Sequence, residues 1–201
     1  MNNNHRQLFM GTANSSTESV ISAKTIIACA LTYTLLFYLN DWLTSFLEAA
    51  PGVNWIYLPA GLRLFLVLVF GLSGAIGISI ASTLITFGRD LSDDIISMIG
   101  IGLISGFGPY IARLVVVRNL KINADLSNLN IQMIVISVLV FALLSTALHQ
   151  LWFVLIGIPS GSLSNAIAML VGDVLGALLF ISLCKFGIDL YKKLTKRESL
   201  L

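Results

Sequence analysis

Long apolar blocks separated by short polar breaks run through this chain, and their lengths predict helices rather than strands. Residues 20–39 form the first block, long enough at about 1.5 Å per residue to cross a hydrocarbon core of about 30 Å. The second, 55–88, covers about 34 residues or roughly 50 Å, which is too long for one span. Gly71, Ser73 and Gly74 lie in its middle and offer a tight reversal, so the pattern predicts two short helices, 55–70 and 72–88. Further helices are predicted over 95–117, 131–148 and 165–190. The apolar segment 151–164, which contains Pro159, either extends the fifth helix or lies in the membrane interface. The expected fold is therefore all-α, a polytopic transmembrane helix bundle of about six spans. One helical domain, 20–190, lies between a polar tail, 1–19, and a basic tail, 191–201.

Composition supports the membrane reading. The chain is 57% hydrophobic and 11% charged, against roughly 25% charged in soluble domains. Its mean hydropathy is +0.92. A net charge of +2 is too small to imply a nucleic-acid partner. Cys29 and Cys184 both fall in apolar blocks and imply no disulfide framework. The leader before residue 20 carries little charge and the first block is span-length, so a cleaved signal peptide fits poorly. Lys24 is placed to snorkel from the start of that helix.

Charge placement sets the expected topology. Asp41 and Glu48 lie between the first two spans with no basic residue. Arg113, Arg118 and Lys121 cluster at the fourth break, and Lys192, Lys193, Lys196 and Arg197 at the C-terminus. By the positive-inside rule, six spans with both termini cytoplasmic place each basic segment inside and the RDLSDD loop outside. A multi-pass protein in contact with the lipid bilayer follows from that reading. Small residues recur every fourth position at Ser73, Gly77 and Ala81, at Gly102 and Gly106, and at Gly172 and Gly176. Such faces let helices pack closely within the bundle or against another copy.

Two charges interrupt the spans. Arg63 and Asp173 sit where an ionisable group costs roughly 2.5–3.5 kcal/mol on insertion scales. Each lies about 8 residues, or roughly 12 Å, from the outer end of its helix, so two spans place opposite charges in one layer. Three readings stand: a structural ion pair, the polar floor of an outward-facing pocket for an anionic or carbonyl ligand group, and a proton relay. Trp55, Tyr57, His149 and Trp152 fall near the same layer as candidate pocket lining or as interfacial anchors. Pro109, after Gly106 and Gly108, is expected to kink its helix.

Enzyme readings find no support in the residues, and no catalytic residue is assigned. HExxH, a carboxylate pair within a span and a Cys/His cluster with metal-ligand spacing are all absent from the sequence, so no metal site or cofactor is expected. The IPSGS segment raises an intramembrane serine protease, but no histidine follows Ser160.

Two segments resemble a known family. NWIYLPAGLRLFLVLVFGLSGAIGISIAS is similar to the start and following helix hairpin of bacterial membrane-associated sensor (MASE, type one) domains. NAIAMLVGDVLGALLFIS resembles that family's late Gly-Asp-x-x-Gly helix through Gly172, Asp173 and Gly176. The resemblance implies an input module that senses a small-molecule ligand or membrane state and passes it to a protein partner. The chain departs from the pattern in having about six spans, in carrying no output domain after Leu201, and in placing Arg63 at a usually apolar position. The alternative, by architectural analogy alone, is a substrate-capture subunit of an energy-coupling-factor vitamin importer. A purely structural membrane protein with a buried ion pair is the third expectation.

Overall fold

The computed structural model describes residues 22–89, 94–123 and 125–198. The N-terminal tail and residues 90–93 of the RDLSDD loop lie outside these. Five helices follow one another: α1 (Ala23–Thr44), α2 (Pro59–Gly88), α3 (Ile95–Asn119), α4 (Ile131–Leu155) and α5 (Leu163–Glu198). All five are long and apolar enough to cross a membrane, which makes this a multi-pass membrane protein in its architecture. A short antiparallel hairpin, β1 (Glu48–Ala50) with β2 (Val53–Asn54), joins α1 to α2.

The sequence pattern places a reversal in the second apolar block, and α2 contains one. Gly71 adopts φ 54° and ψ −126°, outside any helical region. A Cβ on Gly74 would stand 2.5 Å from the carbonyl oxygen of Leu66, eight positions earlier. Along a straight helix those residues would be about 12 Å apart, so the chain turns back on itself at Gly71. Contacts with α1 agree. Leu58 is bonded to Asn40 and Phe70 shares a groove with Lys24, so residues 59–70 run antiparallel to α1. Ser73 meets Ser22 and Arg89 meets Asp41, so residues 72–88 run parallel to it.

Residues 59–67 are apolar almost all round because neighbours surround them. Leu62, Leu66 and Val67 pack with Cys29 and Tyr33 of α1 and with Ala75, Ile78 and Ala81 from beyond the reversal. Ala60 and Leu64 pack on the opposite side with Ala112, Val138, Phe141 and Ala177 of α3, α4 and α5. This limb is the hub of the bundle. Outward faces carry exposed Leu31, Leu84, Leu143 and Leu183, as contact with a lipid bilayer requires.

Small residues set the close approaches. Gly77 lies against Ile26 and Cys29 of α1, while Gly102 and Gly106 of α3 lie against Ser79. α3 continues through Pro109, whose missing N–H leaves the carbonyl of Ser105 without its helical partner. Arg113 donates from Nε to the Leu68 carbonyl, closing the helix end just before the reversal. The apolar segment 151–164 divides: α4 runs on to Leu155, a turn follows with Gly157 at φ 71°, and α5 begins at Leu163. α5 then continues to Glu198, past the expected end at residue 190.

Gly71→Ala is expected to cost about 1–3 kcal/mol, because an L side chain is strained at that backbone conformation. Gly187→Ala, in α5 with nothing within 4 Å of the added Cβ, should be neutral or stabilise by up to about 1 kcal/mol. Thermal unfolding of both variants in one detergent tests the contrast. At the start of α3, Asp94 accepts from the Ser97 hydroxyl at 2.9 Å and its N–H at 3.0 Å, which holds the carboxyl below its usual range. A lowered folded value means the cap is intact above the ordinary carboxylate range and is lost as pH falls through the lowered value. Protection of amides near Ser97, relative to their intrinsic exchange at the same pH, should therefore fall as the carboxyl is protonated, and be low at every pH in Asp94→Ala.

Candidate functional site

The site begins with two backbones brought together by glycine. On α5, Gly172 lies against the carbonyl of Asn54 and Gly176 against that of Tyr57. Tyr57 also donates its N–H to the Gly172 carbonyl at 3.1 Å. Any side chain at either glycine would strike this strand-to-helix segment. The segments NWIYLPAG and GDVLG are thus in direct contact, and the contact carries Asp173 to the side of α2.

Arg63 reaches back along α2 to meet it, as helical side chains lean toward the N-terminus. Its Nη2 donates to Asp173 Oδ1 at 3.2 Å, lies 3.5 Å from Oδ2, and reaches Ser145 Oγ at 3.5 Å. The two side chains are 2% and 1% exposed. The guanidinium lies between two rings, 5.2 Å from the centroid of Tyr57 and 5.4 Å from that of Phe141. Each such contact contributes up to about 2 kcal/mol when dry, which offsets part of the desolvation of a buried cation. Nε of Arg63 is buried with no hydrogen-bond partner among the described residues. Ser79 Oγ and Thr146 Oγ1 share that condition.

A second polar chain runs beside the pair. His149 Nδ1 lies 2.8 Å from the Ser145 carbonyl, which can only accept, so the proton is on Nδ1. Nε2 lies 3.2 Å from Ser105 Oγ, and Ser105 accepts from Ser82 Oγ at 2.9 Å. Tyr33 and Tyr57 join hydroxyls at 2.9 Å on the other side of the pair.

These groups line a cavity of about 80 Å³. Arg63, Asp173, His149, Ser82 and Ser105 supply its polar surface, with Phe37, Tyr57, Phe153 and Met169 among its apolar walls. Pro51, Gly52 and Ile158 bring it to the hairpin end of the bundle. Arg89 also lines it, paired with Asp41 at 3.0 Å and 5.5 Å from the ring centroid of Phe37. One water needs about 10–15 Å³ of such space, so the cavity is large enough to be hydrated.

Of the residues picked from sequence, Arg63, Asp173, Tyr57 and His149 come together in this cavity. His149 is 4% exposed, so it belongs to the interior rather than the interface. Trp55 stands outside the cavity, 44% exposed. Trp152 covers Gly100 and points Nε1 at the Ser97 carbonyl, 3.4 Å away. Asn40, Ser82, Ser105 and Ser145 escaped notice in the sequence. Asn40 is 2% exposed and its Oδ1 accepts from Leu58 N at 2.9 Å, capping the approach to α2. The available signal was their polarity inside apolar blocks, the same signal that marked Arg63.

Removing one partner of a buried pair strands the other charge. Arg63→Ala and Asp173→Ala should each destabilise the protein by roughly 3–5 kcal/mol. The double variant Arg63→Met/Asp173→Leu should recover most of that loss, because neither charge remains. Unfolding midpoints in detergent check this, and a double variant no better than the singles would contradict it.

Compared with protein-family models, curated proteins and solved structures, the chain matches none.

Proposed function

We propose that the chain is a sensory module that binds a small molecule in the cavity floored by Arg63 and Asp173. The observation that carries this reading is a cavity of about 80 Å³ lined by a buried charge pair. A pair whose only role is to lock two helices has no need of a cavity beside it. Polar groups lining enclosed space are what a ligand or ordered water satisfies.

The proposed topology has six crossings of a bacterial inner membrane with both termini cytoplasmic. The reversal at Gly71 supports counting α2 as two crossings. Lys24, Arg113, Arg118 and Lys121 gather at the reversal end, while Asp41 and Glu48 lie at the hairpin end, in keeping with the positive-inside rule. On this topology the cavity opens outward.

α5 favours sensing over capture. It runs unbroken for 36 residues, or about 54 Å, from beside the cavity mouth to Glu198. Asp173 on the cavity floor and the basic residues Lys192 and Lys193 are on one rigid element. A ligand that draws on Asp173 would bias the position of the far end, where a membrane or cytoplasmic protein partner can read it.

Native mass spectrometry of the protein released from its membranes should find a bound small molecule at the wild-type site. The Arg63→Met/Asp173→Leu variant, folded by the criterion above, should lose it. Equal retention by both would overturn the reading. Ligand uptake in the presence of an energising partner would move the assignment to an importer capture subunit.

A further inference from the structure

We infer that the tip of the β1–β2 hairpin is a strap across the mouth of the cavity. Ser160, the serine of the IPSGS segment between α4 and α5, is the clasp that fastens it.

All five helices wall the cavity, through residues such as Phe37 of α1, Thr86 of α2, Ser105 of α3, His149 of α4 and Asp173 of α5. The hairpin adds Pro51, Gly52 and Asn54, and the turn after α4 adds Ile158. Arg89 borders another side, held by Asp41 at 3.0 Å. Pro51 and Gly52 are exposed, whereas Asn54, Ile158 and Arg89 are half-buried, so the cavity meets the outside at the hairpin tip. Entry between helices would separate packed apolar faces. Entry at the tip moves one short segment.

The turn is the fixed side of this mouth. Ser160 is 1% exposed, and its carbonyl accepts from Asn165 Nδ2 of α5 at 3.1 Å. Two residues on, the Ser162 N–H donates to Gln150 Oε1 of α4, also at 3.1 Å. Gly161 between them lies against the backbone of Phe153 and Val154. Both flanking helices therefore hold Ser160 in place.

The tip is the movable side. Its strands span Glu48–Ala50 and Val53–Asn54 and break register between Glu48 and Ala50, and a lone two-stranded hairpin is marginal in stability. β2 is anchored, because Val53 is fully buried and the Asn54 carbonyl lies against Gly172. β1 has less to lose on lifting: Glu48 and Ala49 are exposed and Ala50 is half-buried. The Gly52 N–H is satisfied inside the hairpin, by Glu48 Oε1 at 3.0 Å. Among the described residues, the hydrogen bond that crosses the mouth runs from Ser160 Oγ to the Pro51 carbonyl, at 2.9 Å. Proline has no N–H with which to add a second. A Cβ on Gly52 would meet nothing within 4 Å, so the tip has room to move. One neutral hydrogen bond biases an equilibrium by roughly two- to tenfold, which suits a strap that opens and recloses without unfolding the bundle.

Thiol accessibility in the full chain tests the strap. In a background of Cys29→Ala and Cys184→Ala, Thr86→Cys places a thiol on the cavity wall, and Val67→Cys places one in the apolar core away from it. The native side chains there are 2% and 0% exposed, so a small methanethiosulfonate reagent reaches either position through an open state, and its rate follows the open population. In lipid nanodiscs, Ser160→Ala is expected to speed modification at position 86 by about two- to tenfold and to leave position 67 unchanged. Equal rates at position 86 with and without Ser160→Ala would overturn the strap. A matching rise at position 67 would overturn it too, since that reports loosening of the whole bundle. So would modification at position 86 as fast as that of free cysteine before Ser160 is changed, because the mouth would then stand open. The measurement uses no ligand, so the binding reading is judged separately by native mass spectrometry.

Discussion

A guanidinium and a carboxylate held 3.2 Å apart in the interior dictate how α2 and α5 meet. Each ion alone would cost several kcal/mol at this depth, so the helices are stable together only in registers that join them. The rest of the site follows from meeting that demand. Glycines at 172 and 176 bring the backbones close enough, and the rings of Tyr57 and Phe141 cover the faces of the cation. Ser145 ties the pair to α4 through its hydroxyl, and its carbonyl orients His149. Polar residues of α2, α3, α4 and α5 thus form one connected layer.

That layer sits in a bundle whose packing is otherwise apolar and close. The limb of α2 before Gly71 touches α1, α3, α4 and α5, and leaves Phe65, Val69 and Phe70 exposed. The limb beyond it packs between α1 and α3 through Gly77, Ser79 and Ser82. Space has been left next to the most expensive groups in the molecule, where closing it would have been the cheaper arrangement for a scaffold. On the proposed reading, α5 is the rigid element beside that space.

Much of this was legible along the chain. Block lengths gave the helices, the Gly71–Gly74 cluster gave the reversal, and the cost of charge in lipid singled out Arg63 and Asp173 before any geometry. Their shared layer was legible too, because the expected spans put both charges at similar depth. For His149, pocket lining and an interfacial place both stood in the sequence; α4 runs on to Leu155 and keeps the ring inside, on the cavity wall. Trp55 and Trp152 were grouped with the cavity on depth alone, and depth says nothing about which way a ring points. Ser82, Ser105 and Ser145 look like ordinary small packing residues in sequence. Their joining into a chain depends on which helix faces cross.

By itself the sequence determined the solvent, the helices, the turn at Gly71 and the need for Arg63 and Asp173 to find partners. Those properties are local or additive: apolar length, backbone freedom and the transfer cost of a charge can be summed along a chain. Only the tertiary structure decided that the partners are each other, that Nε is left unmet, and that a cavity rather than a filled core adjoins them. Those outcomes depend on rotations and close approaches among four helices, where a shift of one side chain's width changes which donor meets which acceptor. Hydrogen bonds and packing fall off over a few tenths of an ångström, a precision that no one-dimensional pattern carries.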